Sequence, residues 1–301
     1  MGSTSWEHAA VSSEEMPIER RMALERLFAH IGDMVSLPVI GQKILRLTEN
    51  ESSSLDELRE VIQTDPILVS KILRRLNSSY FGLSHKVKEI GQAVNLLGFR
   101  EIRNLALTVF LAKVFDHKST YKTYNRENLW SHCVGVGAAA RLVSRVCGRA
   151  AAEEAYLAGL LHDIGFILLD QSLHRHFRVV IDQIRADEPT FRTENRILSF
   201  DHATLGGFVA RKWNFPESVN DAITYHHHAG EYRGEHRDLV HVVAVANYLC
   251  SRSGWMSLGV HNVEAPPDAV FQSLGLDEVT VSIIWDELEG TLQKSSTLAM
   301  A

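Results

Sequence analysis

Cysteine is scarce. Cys133, Cys147 and Cys250 are the only ones in 301 residues, an odd number with no C-x-x-C spacing. That argues against the disulfide framework of a small secreted domain, and their places in apolar helical patterns suit reduced core thiols. No uninterrupted apolar run reaches the ~18–20 residues needed to cross a bilayer. The opening stretch MGSTSWEHAAVSSEEMP has neither a basic start nor an apolar core, so it does not read as a secretory signal. Basic charge is not in excess. The formal net charge is −6, which gives no overall electrostatic footprint for nucleic acid or an anionic membrane. Strand-like alternation bounded by turns is missing, and so is any repeat of fixed period. The absences together lead us to expect a cytoplasmic, all-α protein.

What is present supports that expectation. With 45% hydrophobic residues, the chain is long enough to bury a sizeable core. Ser54-Leu-Asp-Glu57 reads as a capping box opening the helix of LDELREVIQ. Asp65-Pro66 supplies an N-cap and a first-turn proline for ILVSKILRRLN. Leu58, Val61 and Ile62 recur at helical spacing, as do Ile67, Leu68, Ile72, Leu73 and Leu76. Further helices are expected over 38–49, 89–97, 100–115, 127–147, 152–170, 173–186, 195–213, 217–227 and 238–252, with a last one around VSIIWDELEGTLQK. The closing SSTLAMA reads as frayed. An internal seam is expected at 113–128, KVFDHKSTYKTYNREN, where apolar periodicity lapses into polar and turn-forming residues.

Histidine is plentiful, 15 in all and mostly in the second half. The oily stretch LAGLLHDIGFILLD carries His162 and Asp163 side by side. An unpaired carboxylate buried there costs several kcal/mol even after relaxation, so something must compensate it. A divalent metal would neutralise the aspartate and use the imidazole lone pair. One metal needs further ligands, and candidates occur on other expected helices. His132 lies in LWSHCVGVGAAARLV, whose small residues permit close packing. His202 opens DHATLGGFVARKW, where Gly206 and Gly207 allow close approach, and His226 and His227 end SVNDAITYHHH. Five imidazoles and a carboxylate make a mixed N/O site suited to iron, manganese, zinc or nickel. A shareable carboxylate among more than four ligands suggests two ions ~3.5–4 Å apart. A packed, metal-free histidine cluster is the alternative at this point. His174, His176, His228, His236, His241 and His261 read as surface or structural residues.

Two stretches resemble a known pattern. LHDIG after an upstream helical histidine is similar to the HD superfamily of metal-dependent phosphohydrolases. The first half, from SLPVIGQKILRL through DP-x-L, LNSSYFG and AVNLLGFREIRNL, resembles the HD-related output domain, HDOD, of bacterial signalling proteins. The likeness continues through GGFVARKWNFPESVNDAITYHH and VHVVAVANYL, and covers roughly residues 30–252. It implies a multi-helix HD-like bundle with an N-terminal helical subdomain. The boundaries expected are a leader over 1–25, an N-terminal helical half over 26–118, an HD-like metal-binding half over 119–255 and an extension over 256–301.

Among catalytic members of the superfamily, HD-GYP phosphodiesterases hydrolyse cyclic dinucleotides at a two- or three-metal site. Their helical histidine matches His132 and their His-Asp pair matches His162 and Asp163. Their next histidine matches His202, and their paired histidines match His226 and His227. The chain departs from them at three points. Phe166 stands where they have a phosphate-holding lysine, the GYP loop is replaced by His228-Ala-Gly-Glu-Tyr-Arg-Gly, and their last aspartate falls at Asn247. Phenylalanine offers no charge-assisted hydrogen bond to a phosphate. Asn247 can still ligate, without charge, through its carbonyl oxygen.

The resemblance therefore implies a regulatory output module that binds a mono- or dinuclear divalent metal centre and acts through signalling proteins. Iron is the first choice of metal, with manganese, nickel and zinc as alternatives. The second reading is a metal-dependent phosphohydrolase acting on a nucleotide or cyclic dinucleotide by metal-activated water, Asp163 bridging the ions. Arg211 or Lys212 would then have to replace the missing lysine. The helices joined by QTDP, with Lys71, Arg74 and Arg75, also fit a helix-turn-helix. Three basic residues in an acidic chain fall short of a DNA-reading surface.

Overall fold

Residues 18–34, 39–49, 53–115 and 119–300 are described by a computed structural model. Along the first half run α1 (Ile18–Met34), α2 (Val39–Glu49), α3 (Leu55–Gln63), α4 (Pro66–Leu76), α5 (Ile90–Leu97) and α6 (Phe99–Val114). A two-residue ladder of β1 (Thr120–Tyr121) and β2 (Tyr124–Asn125) follows. The second half holds α7 (Arg126–Cys147), α8 (Ala152–Leu161), α9 (Ile164–Ser172), α10 (His174–Gln183), α11 (Thr190–Leu198), α12 (His202–Lys212), α13 (Glu217–Tyr225) and α14 (Arg237–Arg252). Last come α15 (Asp268–Ser273) and α16 (Glu278–Met300). The protein is all-α apart from that ladder among the described residues. No described helix is long and apolar enough to cross a membrane.

Local chemistry sets the helix starts. The N–H of Glu57 donates to Ser54 Oγ at 3.1 Å and the N–H of Ser54 to Glu57 Oε2 at 2.8 Å, the reciprocal box expected of α3. Asp65 Oδ1 accepts from Ile67 N–H at 2.9 Å and Leu68 N–H at 3.0 Å, with Pro66 in the first turn of α4. Asn77, in the LNSSYFG turn, donates to the carbonyls of Leu73 and Val87 and accepts from Val87 N–H, each at 2.8 Å. The seam carries the antiparallel ladder, Thr120 opposite Asn125, and Asn125 Oδ1 then caps α7 through Glu127 N–H at 2.8 Å.

Helix α7 is the axis of the second half, flanked by α8, α14 and α16, while α12 packs on α9 and α13. The halves meet where α6 lies on α8 and α1 on α12. Phe28 of α1 sits edge-on to Phe200, centroids 4.8 Å apart. Between the halves, buried Arg141 of α7 donates to Tyr80 Oη at 2.8 Å, Glu101 Oε1 at 3.2 Å and Glu153 Oε2 at 2.5 Å, with Tyr156 under its guanidinium at 4.3 Å.

Four expectations are corrected. The run 152–170 is two helices, broken at His162-Asp163, and 195–213 is likewise split. Ser199 ends α11 in the left-handed conformation, φ 71°, and Asp201 Oδ1 caps α12 through Thr204 N–H at 2.8 Å. Residues 18–25, read as leader, lie in α1, whereas 1–17 fall outside the described residues. The tail is not frayed over its described residues: Leu288, Leu292, Ser295 and Leu298 continue a buried stripe on α16. Arg75 Nε donates to the Leu298 carbonyl at 3.2 Å and Trp130 Nε1 to that of Ala299 at 3.1 Å.

Candidate metal centre

Missing side chains bring the site together. A Cβ on Gly159 of α8 would lie 2.8 Å from the Val136 carbonyl oxygen, and one on Gly137 of α7 would lie 2.9 Å from that of Tyr156. These two helices thus touch backbone to backbone, which sets His132 beside His162. A Cβ on Gly165 would lie 1.9 Å from the His202 carbonyl oxygen, and one on Gly207 would lie 1.9 Å from Thr224 Oγ1. The first turn of α9 therefore presses on the start of α12, and α12 on α13, which delivers His226 and His227.

The break between α8 and α9 matters for the same reason. His162 closes α8 with φ −53° and ψ −37°, and Asp163 turns to φ −101° and ψ 15° before α9 begins. In a continuous helix the two side chains would diverge by about 100°. Here they meet, His162 Nε2 at 3.3 Å from Asp163 Oδ2. His132 Nε2 lies 3.4 Å from the same oxygen. His202 Nε2 is 3.1 Å and His226 Nε2 3.7 Å from Oδ1. His132 and His162 approach Nε2 to Nε2 at 3.3 Å, and His202 and His227 at 3.0 Å. The structure thus gathers all six sequence-predicted donors, in the triads His132, His162, Asp163 and His202, His226, His227.

The far side of each ring fixes which nitrogen is free. Nδ1 of His132 lies 2.6 Å from the Trp255 carbonyl, that of His162 2.7 Å from Gly159, and that of His226 2.8 Å from Ile223. A carbonyl only accepts, so Nδ1 donates in each, and the neutral ring keeps its lone pair on Nε2. His202 Nδ1 donates to Glu194 Oε2 at 2.6 Å. With the rings neutral, lone pairs would therefore face a carboxylate that itself carries only lone pairs. His226 Nε2 is buried with no protein hydrogen-bond partner among the described residues.

Protons do not relieve all of this. Burial raises the Asp163 carboxyl, but His162, His132 and His202 outweigh it and hold Asp163 well below the ordinary carboxylate range. Burial disfavours a charged His202, yet Glu194 and Asp163 on either side push it up to about 10. Burial, reinforced by neighbouring histidines, drives His226 and His227 well below the ordinary imidazole value. Those two keep bare lone pairs. Donor pairs 3.0–3.4 Å apart fit as neighbouring ligands of an ion with bonds of about 2.0–2.2 Å. The donor set fits a divalent cation.

The surroundings are less suited to phosphate. Phe166 is buried and stacks on His202, centroids 3.8 Å and planes 19° apart, so an apolar wall fills that position. A cleft of about 320 Å³ opens over His226, His227 and Asn247. At its mouth Arg192 is paired with Glu264 at 3.0 Å. Lys212 donates to the Ala29 carbonyl at 2.9 Å. Neither Lys212 nor Arg211 lines the cleft, because they end the helix that His202 begins. Asn247 is buried beside the cluster, its Oδ1 3.5 Å from Ser251 Oγ.

Two contributors escape the sequence reading. Glu194 falls one residue before the helix expected from 195, which separates it in the sequence reading from the face that carries His202. Its signal was a carboxylate on the buried face of TFRTENRIL. The Trp255 carbonyl had no signal at all, since a backbone atom carries none. Of the remaining histidines, His174 pairs with Asp170 at 2.9 Å and His236 with Asp221 at 2.8 Å. His241 Nε2 lies 3.0 Å from the Ala229 carbonyl.

A family profile described as the HDOD domain matches residues 34–229. The chain is similar to an HDOD domain protein of unknown function from Geobacter sulfurreducens, with TM-score 0.77, 23% identity, and coverage of 94% of this chain and 99% of that one. It is also similar in fold to a candidate signal transduction protein from Marinobacter aquaeolei VT8, with TM-score 0.74, 24% identity, and coverage of 88% and 58%. An uncharacterized protein of Treponema pallidum (strain Nichols) is 28% identical over 237 residues, 76% of this chain and 45% of that protein. The chain spans less than half the length of the curated relatives it matches. With more than half of its length matched by the profile, the chain belongs to the HDOD domain family.

Proposed function

We propose that the protein is a cytoplasmic signal-transduction output module whose second half, 119–255, holds a divalent metal centre, and which acts through protein partners. His132, His162, Asp163, His202, His226 and His227 would hold one or two ions, iron first and manganese, nickel or zinc otherwise, with Asn247 beside them. One observation carries the reading: imidazole Nε2 atoms from separate elements converge on the two oxygens of buried Asp163 while Nδ1 is engaged behind the rings. A bound ion supplies positive charge and Lewis acidity there. Asp163 balances that charge, the carbonyls of Gly159, Ile223 and Trp255 orient the rings, and Phe166 keeps water from one face of His202.

A metal-dependent phosphohydrolase is the second reading, favoured by the cleft that reaches His226 and His227. The Phe166 wall and the Arg192–Glu264 pair favour the regulatory module, because among the described residues no unpaired arginine or lysine lines the cleft. Protein from metal-supplemented culture should contain at least one equivalent of metal by elemental analysis, and His162→Ala should lose it. Less than a tenth of an equivalent in the parent would end both readings. The loaded protein should leave cyclic dinucleotides and simple phosphodiesters intact. Turnover abolished by His162→Ala would instead establish the enzyme. Chelation should lower Tm, since a ligand held only by the folded state stabilises it. An unchanged Tm would favour a packed, metal-free histidine cluster.

A further inference from the structure

Three of the rings are backed by neutral carbonyls; His202 alone is backed by a carboxylate. Glu194 is wholly buried, and its Oε2 accepts from both Nδ1 and the backbone N–H of His202, at 2.6 and 3.3 Å. Its Oε1 is buried with no protein hydrogen-bond partner among the described residues. A buried carboxylate left half-satisfied is costly, and a packing role does not call for one. The same helix, α11, places Phe191 flat against His227, centroids 4.8 Å and planes 23° apart. Two members of the triad His202, His226, His227 are therefore backed from one element. That element is itself anchored, Thr193 Oγ1 donating to Glu188 at 3.0 Å and Arg196 to the same carboxylate at 3.1 Å.

We propose that Glu194 is a positioning residue for the metal centre, acting through His202 with its charge as well as its geometry. The proposal rests on the metal reading above. A carboxylate behind an imidazole fixes the ring, holds the proton on Nδ1 and strengthens Nε2 as a donor, and losing such a partner commonly weakens metal affinity about 10–100-fold. Glutamine at this position keeps an acceptor of nearly the same shape and removes only the charge. A role in packing alone would therefore leave Glu194→Gln indistinguishable from the parent.

The test titrates the metal-free full chain with Co²⁺, reading affinity by calorimetry and ligand geometry by visible absorption. His202→Ala, which removes a ligand, and Glu287→Gln, at an exposed position on α16, serve as controls. Glu194→Gln is expected to bind at least about tenfold more weakly with an altered spectrum, while Glu287→Gln binds like the parent. Equal affinity in parent and Glu194→Gln would overturn the role of Glu194 and leave the metal reading intact. A parent that binds no Co²⁺ would overturn both. Should Glu194→Gln fail to fold, Glu194→Asp, which retracts the carboxylate by one methylene, must show the same weakening; unchanged affinity there would overturn the proposal.

Discussion

Asp163 and Asp170 lie about two turns apart at the two ends of α9, and their surroundings assign them opposite tasks. Asp163 faces imidazoles, whereas buried Asp170 accepts from Arg126 Nε at 3.0 Å, Tyr124 Oη at 2.9 Å and His174 Nδ1 at 2.9 Å. Burial raises the Asp170 carboxyl, but Arg126, His174 and Tyr124 prevail and hold it below its ordinary value. As pH falls, the unfolded chain takes up that proton first. The stabilisation is therefore complete above about pH 4 and is lost as pH drops through the lower folded value. Asp170→Asn should cost about 3–5 kcal/mol at pH 7 by stranding Arg126, and should flatten the acid limb of urea melts between pH 5 and 2. Gly165 makes a second residue-scale case. An added methyl must displace the His202 backbone, so Gly165→Ala should cost about 1–3 kcal/mol in urea melts run with chelator. It should also lower metal content. The His162-Asp163 pair was legible because polar residues stand out in an apolar run, while Glu194 sat among other polar residues and only its burial sets it apart.

At the scale of elements, the helices with their own end signals were readable and those ended by context were not. Ser54 with Glu57 and Asp65 with Pro66 marked two starts correctly, since each start is made by bonds within three residues. The break at 162–163 has no proline and no glycine at the turn itself. Gly165, just beyond it, packs against the His202 backbone of α12, which is distant in sequence. The left-handed Ser199 and the cap at Asp201 were visible as residue types, but uninterrupted hydrophobic spacing hid them. Helix α16 went the other way, its final turns held by Arg75 and Trp130 rather than by local propensity. Leu298 is buried at 1% exposure. Leu298→Ala should therefore cost about 2–5 kcal/mol, whereas a frayed tail would show no change in the midpoint of denaturation.

For the whole molecule, the order of elements along the chain is not their order in space. Helix α1 belongs by sequence to the first half yet packs on α12, and α16 closes the second half yet ends beneath Arg75 of α4. With Arg141 gripping Tyr80, Glu101 and Glu153 between them, each half holds a terminal segment of the other. Limited proteolysis confined to the 113–128 link should leave two fragments that co-elute at the parent's size under native conditions and separate only in denaturant. Independent elution would contradict the arrangement. The halves are clasped like folded arms, so loosening one wrist, at Phe28 or at Leu298, frees a hand of the opposite side.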